Sequence, residues 1–210
     1  MSDEHLRNDE QAWDARYSEN NRIFSGNPNV VLVREVGDLR PGRALDLGCG
    51  EGADAIWLAE RGWQVTAVDI SGVALARAQE HATEAGVTVD WQKRDLAADF
   101  PEGAFDLVSI QFLHFWGTFD REGILRAAAG AVAPGGVLLI EGHLDTGPLQ
   151  RAASDHAPDL PAPAEVIASL RLGAEWEVLV AEVHDREQTT PDGVVHHRTD
   201  NTVKLRRASR

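Results

Sequence analysis

Residues 44–52 read Ala44-Leu45-Asp46-Leu47-Gly48-Cys49-Gly50-Glu51-Gly52, an apolar run that passes directly into alternating glycines. The run reads as a short strand over residues 43–47, and the glycines as the turn from it into a helix over 53–61 that closes at Gly62. Such a turn lets backbone N–H groups approach a ligand closely, and the helix N-terminus adds partial positive charge. A pyrophosphate and a carboxylate are served equally well by that arrangement. Gly48, Gly50 and Ala53 also satisfy the dinucleotide pattern G-x-G-x-x-G/A, so the glycines alone leave NAD open. Asp46 is what discriminates, because it stands two positions before the first glycine, where a buried strand end is usually apolar. A carboxylate there suits a cationic ligand better than a diphosphate.

Outward from this loop the chain alternates strand and helix. Residues 63–69 predict a second strand, Ser71 caps a helix over 72–85 that stops at Gly86, and 87–93 alternate as a third strand does. Residues 105–111 make a fourth strand; Asp120 caps a helix over 121–132 that Pro134-Gly135-Gly136 breaks, and 137–140 form a fifth strand. Successive β-α units imply a parallel, doubly wound α/β sheet. After a short helix near 164–171, extended runs at 174–188 and 194–207 flank Thr190-Pro191-Asp192-Gly193, and an Asp-Gly in that setting predicts a hairpin. The expected fold is a Rossmann-like sheet of seven strands, mostly parallel, with a C-terminal antiparallel hairpin.

Asp69 closes the second strand, where a carboxylate can accept hydrogen bonds from two ribose hydroxyls; its bland alternative is an acid capping the helix after Ser71. Asp95, after the third strand, either accepts from an adenine amino group or is a plain loop acid. All three acids lie on the C-terminal edge, where open α/β sheets bind ligands. These segments resemble a class I S-adenosylmethionine-dependent methyltransferase: Leu45–Gly52, Val65-Thr66-Ala67-Val68-Asp69-Ile70-Ser71, Arg94-Asp95-Leu96, Phe105-Asp106-Leu107-Val108-Ser109, and apolar residues running into Pro134-Gly135-Gly136. They span about residues 42–142 in order.

The resemblance implies S-adenosylmethionine as cofactor, released as S-adenosylhomocysteine. It implies that Gly48, Cys49 and Gly50 lie along the methionyl part with Asp46 near the ammonium group. Asp69 would hold the ribose, Ile70 would pack on the adenine, Asp95 and the Leu96 N–H would read the adenine edge, and Gln111 would contact the methionyl group. Cys49 is read as a small filler, not a nucleophile. The N-terminal run Trp13-Asp14-Ala15-Arg16-Tyr17, followed by Ile23 to Asn29, resembles the lead segment of small-molecule methyltransferases of the tellurite-resistance and thiopurine type. By that resemblance Trp13, Arg16, Tyr17 and Phe24 cover the methionyl end, Arg16 pairing with its carboxylate; the alternative is an amphipathic helix packed on the sheet. The implied layout is one methyltransferase domain over 1–210: a helical cap over 1–40, a cofactor-binding core over 42–142, a lid within 145–171 and the hairpin over 174–207.

Phe112-Leu113-His114-Phe115-Trp116 follows Gln111 and is dense in aromatics for a chain that is 6% aromatic. Phe112, Phe115 and Trp116, with Tyr17, Phe24 and His143, are the candidate walls of an acceptor site, and His114 is the candidate base. Core packing and an ordinary hydrogen-bonded histidine are the competing readings. His143 and Asp145, in His-x-Asp spacing, are too few to hold an ion, so no metal is expected. The acceptor is expected to be small and apolar or aromatic, methylated on oxygen, sulfur or nitrogen; a non-catalytic cofactor-binding protein is the alternative. The net charge of −14 repels polyanions, which argues against nucleic acid. No apolar run is long enough for a membrane span, and a single cysteine suits a reducing compartment, so a cytoplasmic protein is expected. The acceptor and the oligomeric state are left open by the residues.

Overall fold

A computed structural model describes residues 10–19, 23–113, 120–144, 160–189 and 195–209. His114, Phe115 and Trp116, most of the expected lid and the hairpin turn lie outside the described residues. The elements in chain order are α1 (Glu10–Glu19), α2 (Val30–Val36), β1 (Arg43–Leu47), α3 (Ala53–Glu60), β2 (Gln64–Asp69), α4 (Gly72–Ala85), β3 (Asp90–Lys93), β4 (Phe105–Gln111), α5 (Arg121–Gly130), β5 (Val132–His143), α6 (Pro163–Leu170), β6 (Trp176–Thr189) and β7 (Val195–Arg207).

The strands form one seven-stranded sheet in the order β3-β2-β1-β4-β5-β7-β6. Neighbours pair in parallel from β3 to β5, whereas β7 runs antiparallel to both β5 and β6. The order reverses between β1 and β4, so their C-terminal ends open the crevice where doubly wound sheets bind ligands. Ala44 to Leu47 are all buried, as expected of a central strand covered on both faces. On one face Val31, Leu32 and Val36 of α2 and Ala55, Trp57 and Leu58 of α3 pack against alternate strand residues such as Leu107 and Leu139. On the other, Leu125 and Ala128 of α5 and Val166 and Leu170 of α6 pack against Val108, Ile140 and Val203.

Local chemistry sets the boundaries. The Ser71 hydroxyl accepts from the Ala74 N–H at 3.1 Å and starts α4, and Gly86 ends it at φ 70°. Asp120 caps α5 in the same way, accepting from the Gly123 N–H at 2.8 Å. The structure departs from the sequence expectation in two places. β3 begins at Asp90 rather than at 87; residues 94–104 then cross to β4 by a turn. α5 ends at Gly130, and β5 begins at Val132, so Pro134-Gly135-Gly136 sits inside a strand rather than breaking a helix. A register shift between Phe105 and Leu107, with Gly135 at φ 83°, absorbs a residue that has no N–H to donate to the ladder.

Candidate functional site

The β1–α3 loop is shaped by backbone that only glycine adopts readily. Gly48, Gly50 and Gly52 have φ of 74°, 53° and 85°. Neighbours crowd all three: a Cβ on Gly48 would stand 2.5 Å from Leu113 Cδ1, one on Gly50 2.9 Å from Tyr17 Oη, and one on Gly52 2.6 Å from Trp91 Cη2. The Gly48 and Cys49 N–H groups both donate to the Val68 carbonyl, tying the loop to β2. Asp69 then links the loop to the next helix, accepting from the Gly50 N–H at 2.8 Å and the Ser71 N–H at 2.9 Å. These backbone donors leave the carboxylate further lone pairs for a diol. Burial raises the Asp69 pKa more than these N–H groups lower it.

Asp46 and Ser109 are register partners across β1 and β4, and Gln111 stands at the end of β4 on the same face. Asp46 is 2% exposed, and its Oδ2 has no hydrogen-bond partner among the described residues. Burial, then the charges of Asp54 and Asp69, push its pKa well above the usual carboxylate value. Gln111 donates from Nε2 to the Ser109 hydroxyl at 3.1 Å, while its buried Oε1 is likewise without a partner among the described residues. Two buried acceptors beside the glycine loop call for a donor that these residues do not supply.

The N-terminal segment lies over this loop. Tyr17 is buried, its ring 6.1 Å from Trp13 and 6.4 Å from Phe24, and the Arg16 guanidinium lies over Trp13. Burial, with Asp69 nearby, raises the Tyr17 hydroxyl far above its ordinary pKa. Residues that sequence reasoning passed over do the anchoring. Asp14 accepts from the Ser71 hydroxyl at 2.5 Å and the Val73 N–H at 3.2 Å, at the start of α4. Glu51 accepts from the Ile23 and Phe24 N–H groups and pairs with Arg77 at 2.9 Å, while Arg77 also donates to the Tyr17 carbonyl. Asp54 holds Asn29 through both carboxylate oxygens at 2.7 Å. Each of these pairs joins residues far apart in the chain, and no spacing rule reaches them.

Other expected residues sit at the margin. Asp95 is exposed and accepts from the Ala97 N–H, and Leu96 packs against the apolar core; Ile70 is half-buried after β2. Cys49 is half-buried, and burial lifts its thiol pKa well above the ordinary value, which keeps it a poor nucleophile.

A second polar group lies past Gln111, at the ends of β5, β6 and β7. Phe112 adopts φ 55°, unusual for a non-glycine residue, and its ring lies 4.6 Å from the His143 ring and 5.1 Å from the Arg186 guanidinium carbon. His143 Nδ1 is 2.7 Å from Asp200 Oδ1, and Arg186 donates to Asp200 Oδ2 at 2.5 Å. Burial raises the Asp200 pKa, but the hydrogen bonds from His143 and Arg186 outweigh it and hold the carboxyl below its usual value. Glu141, buried opposite Gln111, meets Thr202 and His184, and burial pushes its pKa up to about 8. No cluster among the described residues could hold a metal ion.

Residues 44–136 match the model of a methyltransferase domain. This segment is similar to methyltransferase domains. The methyltransferase core is 42% identical over 98 residues to a ubiquinone biosynthesis O-methyltransferase of Chromobacterium violaceum, covering 45% of this chain and 41% of that one. The chain spans about half the length of the curated relatives it matches. Its fold is similar to that of a protein solved in work on conversion of a disulfide bond into a thioacetal group during echinomycin biosynthesis, with a TM-score of 0.72 at 23% identity over 95% of this chain and 93% of that one. It is similar also to TehB from Haemophilus influenzae, with a TM-score of 0.67 at 20% identity over 95% and 66% of the two chains.

Proposed function

We propose that the protein transfers a methyl group from S-adenosylmethionine to oxygen, sulfur or nitrogen of a small apolar or aromatic acceptor. The observation that carries this is the pair of buried, unpartnered acceptors, Asp46 Oδ2 and Gln111 Oε1, beside the glycine loop. A cationic amino-acid end fits that need, whereas a diphosphate would meet a buried carboxylate. Asp69 supplies acceptors for the ribose, and Gly48, Cys49 and Gly50 border the methionyl part. Ile70, Asp95 and Leu96 then flank the adenine. Trp13, Arg16, Tyr17 and Phe24 close over the methionyl end and exclude water.

The cofactor brings a methyl already activated on sulfonium, moved by in-line displacement, so the protein's task is alignment and exclusion of water. Phe112, Tyr17 and His143 form the wall against which the acceptor lies, with Phe115 and Trp116 next in sequence. The similarity to O-methyltransferases favours oxygen as the receiving atom. A lone thiol, Cys49, suits the reducing cytoplasm, and no helix among the described residues is long and apolar enough to cross a membrane.

Titration calorimetry with S-adenosylhomocysteine and NAD tests the cofactor, and an acceptor screen with labelled S-adenosylmethionine over thiols, phenols, quinols and heterocycles tests the reaction. Binding of S-adenosylhomocysteine without response to NAD is expected. A response to NAD alone would overturn the reading, and cofactor binding without transfer to any acceptor would favour a non-catalytic binding protein.

A further inference from the structure

We infer that the acceptor is an aromatic ring bearing a carboxylate and that Arg186 is the residue that recognises it; this rests on the reading of the chain as a methyltransferase. A guanidinium carries five N–H donors in a planar fork. Arg186 donates from Nε to the buried Asp200 at 2.5 Å, and among the described residues its Nη1 and Nη2 make no hydrogen bond. The edge left without a partner is the one whose two parallel N–H groups match the two oxygens of a carboxylate. Its aim is set by its neighbours: Asp200 holds Nε, and the guanidinium carbon lies 5.1 Å from the centre of the Phe112 ring. A fork set in place this way loses little freedom when it takes an anion.

The fork stands at the C-terminal edge of the sheet, on the acceptor side of the cofactor loop. His143 of β5 is opposite Asp200, and Asp200 is opposite His184, so Arg186 and its register partner Arg198 extend two residues past the end of β5. With a side-chain period of two, both arginines share the face of His143. Phe112, which the guanidinium meets, directly follows Gln111, and Leu113 touches the glycine loop at Gly48. An acceptor with its carboxylate on Arg186 lies along Phe112, its far end toward Gln111 and the methyl donor.

The local charges favour an anion although the whole chain carries −14. Arg186 and Arg198 share their face with one ionised acid, Asp200, in which hydrogen bonds from His143 and Arg186 outweigh burial. Burial lifts Glu141 on that face to a pKa of about 8, which leaves it largely neutral at pH 7, and Glu182 is paired with Arg34. Asp185 and Glu187 alternate to the opposite face. An ion pair that only closed the hairpin would need a cation at 186 but not a fork, and lysine would serve it as well.

The test titrates 3- and 4-hydroxybenzoate and 3- and 4-aminobenzoate, each beside its carboxamide, into protein loaded with S-adenosylhomocysteine. Wild type should bind at least one acid about 10-fold or more tighter than its amide, the low end of what a hydrogen bond to a charged group contributes, because solvent reaches the half-exposed Arg186. Arg186→Gln should abolish that preference and leave the Kd of the amide and of S-adenosylhomocysteine unchanged. Arg186→Lys, which keeps the charge and the pairing with Asp200 but has no fork, should lose most of the preference at an unaltered Tm. A purely structural ion pair would move Tm and not the ratio of acid to amide. A preference that survives in Arg186→Gln, or transfer from labelled S-adenosylmethionine that favours the amides, would overturn the assignment. Weaker S-adenosylhomocysteine binding by Arg186→Gln, with the ratio unchanged, would overturn it too and give Arg186 to the cofactor's own carboxylate. Wild type that binds S-adenosylhomocysteine but prefers no acid overturns the carboxylate alone, and wild type that does not bind it overturns the methyltransferase reading and this inference with it. Should Arg186→Gln fail to fold, Arg186→Lys decides by the same ratio: a full preference there overturns the fork.

Discussion

Replacing Asp46 by asparagine separates a carboxylate kept for a ligand from one kept for the fold. The change preserves shape and removes a charge that is 2% exposed, has an oxygen without a partner among the described residues, and faces Asp54 and Asp69. An unsatisfied buried polar group costs about 1–3 kcal/mol, and asparagine removes the charge while keeping a polar amide. The ligand-free variant should therefore gain about 1 kcal/mol, seen as a rise in Tm of about 2–4 °C in a chain of this length. The gain depends on pH in a definite direction. Burial raises the folded-state pKa above the unfolded one, so the wild-type contribution is full below an unfolded pKa of about 4 and is lost as pH rises through the elevated value. The advantage of Asp46→Asn should accordingly grow with pH. Cofactor binding should move the other way, since a hydrogen bond to a charged group is worth about 1.5–3 kcal/mol, or roughly a 10–150-fold rise in Kd for S-adenosylhomocysteine. Thermal melts across pH and titration calorimetry give both quantities. A variant less stable than wild type at neutral pH with unchanged affinity would refute the reasoning and make Asp46 a structural residue.

Glu141→Gln should remove a pH-dependent loss of stability, because burial lifts this carboxyl from 4.5 to about 8 and its contribution disappears as pH rises through that upper value. Melts at about pH 6 and about pH 9 should diverge more for wild type than for the variant. Gly52→Ala should destabilise by about 1–3 kcal/mol in urea unfolding, since φ 85° is strained for alanine and its Cβ would lie 2.6 Å from Trp91 and 2.8 Å from Ala78. A neutral result there would mean that α4 and β3 yield more easily than their packing suggests.

Much of the cofactor side was legible in the sequence because local spacing controls it. Glycines that need positive φ, acids that close successive strands and a serine that caps a helix act through neighbours within a few residues. The acceptor side was less legible. His143 was singled out as a candidate wall of the acceptor site, while Asp200 and Arg186 drew no attention in the hairpin. Their meeting depends on β7 pairing antiparallel with β5 in the register that puts Asp200 opposite His143. A shift of one residue would turn Asp200 to the other face. Pro134-Gly135-Gly136 misled because a break in local propensity marks a helix end and a strand irregularity alike, and only pairing with β4 tells them apart.

By itself the sequence determined the strand–helix alternation, the glycine loop and the acids beside it, because these follow from periodicity and backbone sterics acting over short range. Tertiary structure alone decided that Asp46 and Gln111 are buried without partners among the described residues, that Glu51 and Arg77 clasp the N-terminal segment, and that His143, Asp200 and Phe112 converge. Burial and hydrogen-bond satisfaction are properties of what surrounds a group in space, and those surroundings come from strands and segments distant in the chain.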